Sequence, residues 1–593
     1  MPAQSKPVLF YDGDCGFCRQ WIYRWRFVTG TRVRYKPFPK SKSPTEAVQL
    51  NAPDGISYHG AEAVFRTLAY VPGSGGWLGC YRKVPGFAAA SEAIYHLVAR
   101  HRVLFSLLTR WILGNHTRPA TYVLTRKFFF RLLGASYLAA FWSLGTQIKG
   151  LIGANGILPA KNLIEAVGSH MGLERYLFFP SLAWLNCSDG FLQILCIVGS
   201  ALSIWTMISR TRPWVLFTLW VLYLSLTTVG GDFMGFQWES LLLETGFLSI
   251  FFAASRGTGF LWLLRFLLFR LMFSSGVVKL ASGDPSWHGL TALLFHYETQ
   301  PLPSWIGWFA HQLPAWFQRF SVIVMFIIEI VLPFLIFSPR RSRLVAFFGI
   351  VGLQVCILLT GSYCFFNLLT LALCVLLVED ADLYFFLRRF WLRIKTKREI
   401  VSLSNRTRKW VEVIVFTIML LLGTEQLSKF VIMRPQLPDS LQYLNDIAQS
   451  FRLVSGYGLF AVMTTTRNEI IIEGSNDRRT WVPYEFEWKP GDLTRRPRFV
   501  APHQPRLDWQ MWFAALSDYE SNPWFKNFLV RLLEGTPEVT ALLAVNPFPK
   551  TPPRFIRALV YEYHFTDFST LWKTGEWWRR DLKGDYTPVL NLK

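Results

Sequence analysis

"FQWESLLLETGFL", residues 236–248, sets two carboxylates, Glu239 and Glu244, inside a stretch that is otherwise largely apolar. How those charges are read decides the fold. A charge at bilayer depth costs about 2.5 to 3.5 kcal/mol on insertion scales, so such groups turn to the interior of a helical bundle and pair there. The next apolar stretch, within "FRLMFSSGVVKLASGDPSW" at 269–287, supplies Arg270 and Lys279. Two acids followed by two bases predict an interhelical ion-pair network, Glu239 or Glu244 with Arg270 or Lys279. A sharper reading makes the cluster a catalytic or ligand-binding centre, with Lys279 desolvated enough to lose its proton. Residue types and spacing are compatible with both.

Outward from these runs the chain has 593 residues, half of them hydrophobic (51%), with 16% aromatics and a formal charge of +23. Length alone points to about three domains. In a soluble protein that charge would point to nucleic acid, but here the cations flank apolar runs, which points to a membrane lipid surface and no nucleic acid. Apolar windows fall near 128–149, 190–208, 213–231, 236–254, 260–281, 320–337, 344–361, 364–380 and 410–428, each roughly long enough for a hydrocarbon layer of about 30 Å. The reading is therefore a polytopic α-helical bundle of about nine spans over 111–429. Lys and Arg crowd Arg100–Arg131, "SRTRP", "SRG", "SPRRSR" and Arg388–Lys409, while 150–189, 232–237, 284–318 and 361–364 carry almost no positive excess. By the positive-inside rule the N-terminus is cytoplasmic and the tail after 428 is outside. The first residues show no secretory signal.

From 430 the texture changes. "GLFAVMTT", "EIIIEGSNDRRTWVPYEFEW" and "RALVYEYHFTDF" read as strands, "GSND" and "KPGD" as turns, and 520–535 as partly helical. Residues 430–593 are expected to form a β-rich extracytoplasmic domain, stable without cysteine.

The other distinctive stretch is "VLFYDGDCGFCRQWIYRW", Val8–Trp25. A buried strand, a turn at Asp12–Gly13 and a helix from Phe17 put Cys15 at a helix N-terminus, where free amides and the dipole lower a thiol pKa. Cys18, one turn on, is placed to resolve a mixed disulfide. The minor alternatives are half of a zinc site with Cys80 and His59, for which no second pair at ligand spacing exists, and two idle core thiols. Cys187, Cys196, Cys356, Cys364 and Cys374 lie in or beside the apolar windows and read as small core residues.

Tyr11, Asp12, Gly13, Cys15 and Cys18 match Y-D-G-x-C-x-x-C, and residues 7–110 resemble the DCC family of thiol-disulfide oxidoreductases. That resemblance implies a thioredoxin-like α/β domain over 1–110, redox roles for Cys15 and Cys18, and a thiol redox partner. It departs from thioredoxin in lacking an obvious cis-proline before a later strand, Pro53 coming too early. A second resemblance spans about 130–580. "GANGILP", "FQWESLLLETGFL", "RLMFSSGVVKLASGDPSWHGLTALLFHYETQPLP", "PHQPRLDWQMWFAAL", "NPWF" and "WWRR" are similar to the lipase maturation factor family, with Trp238, Glu239, Glu244, Arg270, Trp287, Arg506, Asp508 and Trp509 at motif positions. It implies a multi-pass membrane protein that brings a client protein, a lipase, to its active state. The fused redox domain looks more like a bacterial member. The membrane would then be the inner membrane, or the endoplasmic reticulum in a eukaryote. A more distant similarity relates Lys279, Leu280, Trp287 and Gly289 to the K-L-x-x-x-W-x-x-G pattern of vitamin K-dependent γ-carboxylases, where that lysine is thought to be a base; the spacing here is about two residues longer.

Smaller candidates complete the reading. His288 and His296, eight residues apart, share a helix face, with a metal as the minor reading. Trp305, Trp308 and Trp316 are expected at headgroup depth, and Arg506 in "QPRLDWQMW" offers an internal Arg–carboxylate pair. No G-x-S-x-G, P-loop or H-E-x-x-H occurs, which disfavours a hydrolase or a nucleotide-driven pump. No cofactor or metal is expected. The function expected is membrane-bound client maturation coupled to thiol redox chemistry. The alternatives are a membrane-anchored thiol-disulfide oxidoreductase and a membrane-embedded enzyme using Lys279 on a lipophilic substrate.

Overall fold

The computed structural model describes residues 6–39, 47–71, 75–113, 120–255, 258–389, 406–431 and 439–592. They fall into two compact units, Met1–Tyr122 with Ser338–Leu344 and Glu379–Leu392, and Val123–Phe337 with Val345–Val378 and Arg393–Lys593.

The first unit is a small α/β layer. Strand β1 (Val8–Tyr11) runs parallel to β2 (Arg34–Pro37) across the helix Gly16–Thr29, and β3 (Gln49–Asn51) and β4 (Ser57–His59) add antiparallel, in the order β2-β1-β3-β4. Leu9, Ile22, Val33, Leu50 and Ala63 form its core, Ile22 coming from the helix face that covers the sheet. A parallel neighbour for β1 requires a crossover, and the helix after Cys15 supplies it. The two shorter segments of this unit carry ion pairs of their own, Arg343 with Glu379 at 2.7 Å and Arg340 with Asp382.

Each of the nine apolar windows holds a helix, but six helices among the described residues are long and apolar enough to cross a membrane: Val123–Gly145, Asp189–Ile208, Gly259–Ala281, Ala315–Phe337, Arg340–Thr360 and Trp410–Lys429. The expected count of nine is not reached, because of three windows. Pro213–Val229 and Phe366–Val375 are shorter apolar helices, and Gln237–Ala254 is diluted by its glutamates and polar first turn. These three are largely enclosed, with Leu222, Leu224, Leu241, Leu242, Leu369 and Leu373 all buried. A helix wrapped by other helices need not span the hydrocarbon layer by itself. Gly246 permits one close approach, since a Cβ there would lie 1.9 Å from the Tyr137 hydroxyl.

The C-terminal sheet is antiparallel, in the order β6-β5-β7-β8, from β5 (Arg467–Ser475), β6 (Val482–Pro483), β7 (Phe555–Phe565) and β8 (Trp578–Leu590). The expected helix is there, at Pro523–Glu534. "GLFAVMTT" (458–465), expected as a strand, is irregular backbone. Its backbone groups are satisfied by bundle side chains instead of a ladder: Gly458 N–H donates to Gln237 (3.2 Å), Phe460 C=O accepts from Trp287 (3.0 Å), and Met463 N–H donates to Asp284. The sequence reading draws a domain boundary at 430; in the structure 393–593 and the bundle cluster as one unit.

Candidate functional site

Glu239, Glu244, Arg270 and Lys279, the charges set in the apolar runs, each meet a partner of opposite sign. Arg270 meets Glu244 through both guanidinium nitrogens, at 2.7 and 3.3 Å. The second Glu244 oxygen also accepts from Tyr457 (2.7 Å) and from Ser455 N–H (3.1 Å), and Arg270 donates to Ser455 C=O at 2.6 Å. The pairing expected from sequence is present, with a clamp from the C-terminal segment added.

Glu239 pairs with neither Arg270 nor Lys279. Its partner is Arg506, 2.7 Å away and fully buried, which also donates to Phe233 C=O, while the Tyr223 hydroxyl donates to the same carboxylate. Arg506 sits in the first turn of the helix Arg506–Ala514, whose next turn lays Trp509 against Trp238 at 4.8 Å between centroids. Phe236 stacks on Trp238 at 4.6 Å and lies 6.1 Å from Trp509, closing a three-ring cluster. Asp508 takes no part in this pair. Its carboxylate accepts the N–H groups of Trp488 and Lys489, both at 2.9 Å, and burial pushes its pKa up to about 6.

Lys279 also departs from the expected pairing. Its ammonium donates to Glu329 at 2.7 Å and to Ser275 C=O at 3.1 Å, with the Trp287 ring centroid 5.4 Å away. Glu329 lies in a π-helical turn, Ile327–Val331. Sequence reasoning missed it, although a lone glutamate in "VMFIIEIVLPF" was the signal. Arg467 was missed too. Fully buried, it donates to the carbonyls of Glu298, Gln300 and Pro301 and to Glu469.

The remaining sequence candidates disperse. His288 meets Leu280 C=O (2.9 Å) and His296 meets the Tyr363 hydroxyl (3.1 Å), so the two do not converge. Among the described residues no group of three or more His, Cys, Asp or Glu gathers at metal-binding distance, and Cys80 and His59 stand on separate elements. Trp305 and Trp316 are exposed, but Trp308 is buried against Phe568 and Trp577, correcting its expected interfacial position. Of the five cysteines read as core, Cys196, Cys364 and Cys374 are buried, Cys187 is half-buried and Cys356 is exposed.

The thiol pair occupies the turn between β1 and its helix. Cys15 is the N-cap, and Cys18 N–H points at its sulfur from 3.3 Å. Asp12 shapes the turn by accepting from Asp14 N–H (3.0 Å) and Cys15 N–H (3.1 Å), and its other oxygen takes Arg102 at 2.8 Å. Gly13 lies so close to β2 that a Cβ would sit 2.9 Å from Pro37. Burial, and then the hydrogen bond to Cys15, push the Cys18 thiol up to about 12. Both cysteines are partly accessible.

A bundle of membrane-length helices locked by buried ion pairs, on a chain that begins with a C-x-x-C turn on an α/β sheet, defines a multi-pass membrane protein bearing a thiol-disulfide oxidoreductase-type unit. Family comparison agrees at both ends. Residues 124–385 match the lipase maturation factor transmembrane domain, 453–588 the lipase maturation factor C-terminal domain, and 9–107 the DCC1-like thiol-disulfide oxidoreductase. Lipase maturation factor 2 of Xenopus laevis is 37% identical over 587 residues, covering 79% of this chain and 82% of its own length. The Homo sapiens protein of that name is 36% identical over 591 residues, covering 79% and 83%. Lipase maturation factor 1 of Mus musculus is 36% identical over 508 residues, covering 80% and 88%. No solved structure matches the chain. The chain belongs to the lipase maturation factor family.

Proposed function

We propose that this chain is a membrane-bound maturation factor for a lipase client, with an N-terminal thioredoxin-like domain that exchanges thiols and disulfides through Cys15 and Cys18. The observation that carries the redox part is the seat of the pair, one sulfur at a helix N-cap facing an amide and the other one turn inside. The order β2-β1-β3-β4 with its single parallel pair supports the thioredoxin-like reading. The client part rests on the family and on a bundle and C-terminal segment tied into one body, suited to holding a partner in a fixed geometry.

The N-terminal domain is proposed to be cytoplasmic and the C-terminal segment to face the other side. Loop charges support this. So does the choice of loops that the C-terminal segment covers: Arg531 donates to Gly156, Arg506 to Phe233, Arg467 to Pro301, and Val500 to Ser362, all in or beside loops poor in positive charge. In this arrangement the thiol partner is cytoplasmic and the client is handled on the opposite face. Lys279 serves as an ion-pair partner. A second reading, with Lys279 as a base toward a lipophilic substrate, is favoured by the π-turn that carries Glu329, since such turns recur at functional sites.

The test is lipase activity in cells dependent on this chain for maturation, comparing wild type with Cys15→Ser and Arg506→Met. Loss with both supports a coupled factor. Full activity with Cys15→Ser would detach the redox domain from maturation. Reporter fusions at residues 2, 340 and 593 check the topology.

A further inference from the structure

Beside the thiol pair a cavity of about 370 Å³ opens between the helix Gly16–Thr29, the helix Gly60–Ala69 and the helix Phe87–Arg100. Its size is at the lower end of the range for small-molecule sites. Cys18 and Asp12 form one end of its wall, so it is continuous with the redox site. The rest is aromatic and aliphatic, chiefly Phe17, Trp21, Trp25, Phe65 and Tyr95, and Ile94 stands at the rim with 62% of its surface exposed. The charged groups on the wall, Asp12 and Arg102, are paired with each other at 2.8 Å. The wall therefore offers no net charge to a carboxylate or an ammonium. Trp21 adds one polar feature, an indole N–H that is buried without a hydrogen-bond partner. Buried donors are normally satisfied, so this one calls for an acceptor brought by a ligand.

We propose that the cavity is a specificity pocket for the thiol substrate, receiving a large apolar side chain next to the substrate's reacting cysteine while Trp21 Nε1 donates to a carbonyl of the same peptide. This rests on the redox reading of Cys15 and Cys18. The exchange it serves is balanced in itself. The Cys15 thiolate attacks a substrate disulfide, forming the mixed disulfide and releasing one substrate thiolate. Cys18 then loses its proton to solvent and attacks the Cys15 sulfur, closing the Cys15–Cys18 disulfide and releasing the second thiolate. The chain is oxidised by two electrons and the substrate reduced by two. An apolar side chain seated beside Cys18 holds the mixed disulfide where that second attack occurs.

The test uses the full chain, reduced and purified in detergent, in single-turnover reduction of disulfide peptides whose cysteine is flanked by leucine, tryptophan or glycine. Burying one large apolar side chain is expected to make the leucine and tryptophan peptides react about tenfold faster than the glycine peptide. Ile94→Arg, at an exposed position, should cut that preference below about threefold, and Val98→Trp, which fills the cavity, should do the same. Both variants should reduce bis(2-hydroxyethyl) disulfide at the wild-type rate. Equal rates for all three peptides, with hydroxyethyl disulfide still reduced, would overturn the pocket and leave the redox reading standing. Failure of wild type to reduce hydroxyethyl disulfide any faster than Cys15→Ser would overturn both. Oxidation of the chain by a soluble quinone that is lost in Ile94→Arg, without peptide preference, would assign the cavity to a lipophilic redox ligand and sink the proposal.

Discussion

At the scale of single residues, the two cysteines of one motif are made unequal by one turn of helix. With its thiol pushed up to about 12 by burial and by the hydrogen bond to Cys15, Cys18 stays protonated at pH 7, and the thiolate is the reactive form. Cys15 is therefore expected to alkylate with iodoacetamide faster than Cys18 at neutral pH, read by timed quenching and peptide mass spectrometry. Equal rates, or a faster Cys18, would reverse the attacking and resolving roles. Asp508 supplies a second prediction. Burial pushes its pKa up to about 6 from an ordinary 3.8. As pH rises through that window the unfolded chain releases its proton first, so stability falls between about pH 4 and 6 and stays lowered above. Asp508→Asn keeps a carbonyl oxygen for the N–H groups of Trp488 and Lys489 and removes the charge. It is expected to stabilise the full chain by roughly 3 kcal/mol at pH 7 and hardly at all at pH 4, measured as the thermal midpoint in detergent. An equal effect at both pH values would show that the charge is not the cause.

Among elements, the pairing of the Gly259–Ala281 helix with the π-turn at Ile327–Val331 distinguishes a structural from a catalytic lysine. Removing one partner of a buried pair costs about 3 to 5 kcal/mol because the other charge is left uncompensated. Lys279→Met is therefore expected to lower the amount of protein in the membrane fraction, and adding Glu329→Gln to restore most of it. Adding Glu239→Gln or Glu244→Gln should not help, since those carboxylates have Arg506 and Arg270. A Lys279→Met protein that accumulates normally but is inactive, and stays inactive with Glu329→Gln, would make Lys279 the base of the second reading.

Over the whole molecule, the carboxylates of the Gln237–Ala254 helix are where the C-terminal segment is fastened. Glu239 holds Arg506, and Glu244 holds Tyr457 and Ser455. Arg506→Met is expected to destabilise the full chain by about 3 to 5 kcal/mol, with much of that recovered by the double change with Glu239→Gln. No recovery would mean that Arg506 acts through Phe233 C=O alone. Residues 439–592 produced without the bundle would leave Arg506 with neither Glu239 nor Phe233 and strip three carbonyl acceptors from Arg467. The isolated segment is expected to be cut rapidly by protease, and a resistant, cooperatively melting fragment would show that its fold is independent of the bundle.

What is local or one-dimensional was legible in the order of residues. Apolar runs located the long apolar helices of the bundle, a C-x-x-C after an apolar strand located the thiol turn, and carboxylates in apolar runs announced that they must be paired, because each of these follows from transfer free energy or from backbone geometry within a few residues. The partners of the buried charges followed from the folded packing. Glu239 is 267 residues from Arg506, and Lys279 is 50 from Glu329. A charge in a low-dielectric interior takes whichever opposite charge the packing brings within about 3 Å, and packing of helices and loops is set by the whole core rather than by order along the chain. For the same reason "GLFAVMTT" reads as a strand by alternation and is not one. Its amides found acceptors on Gln237 and Asp284, side chains that neighbour it only after the bundle has assembled.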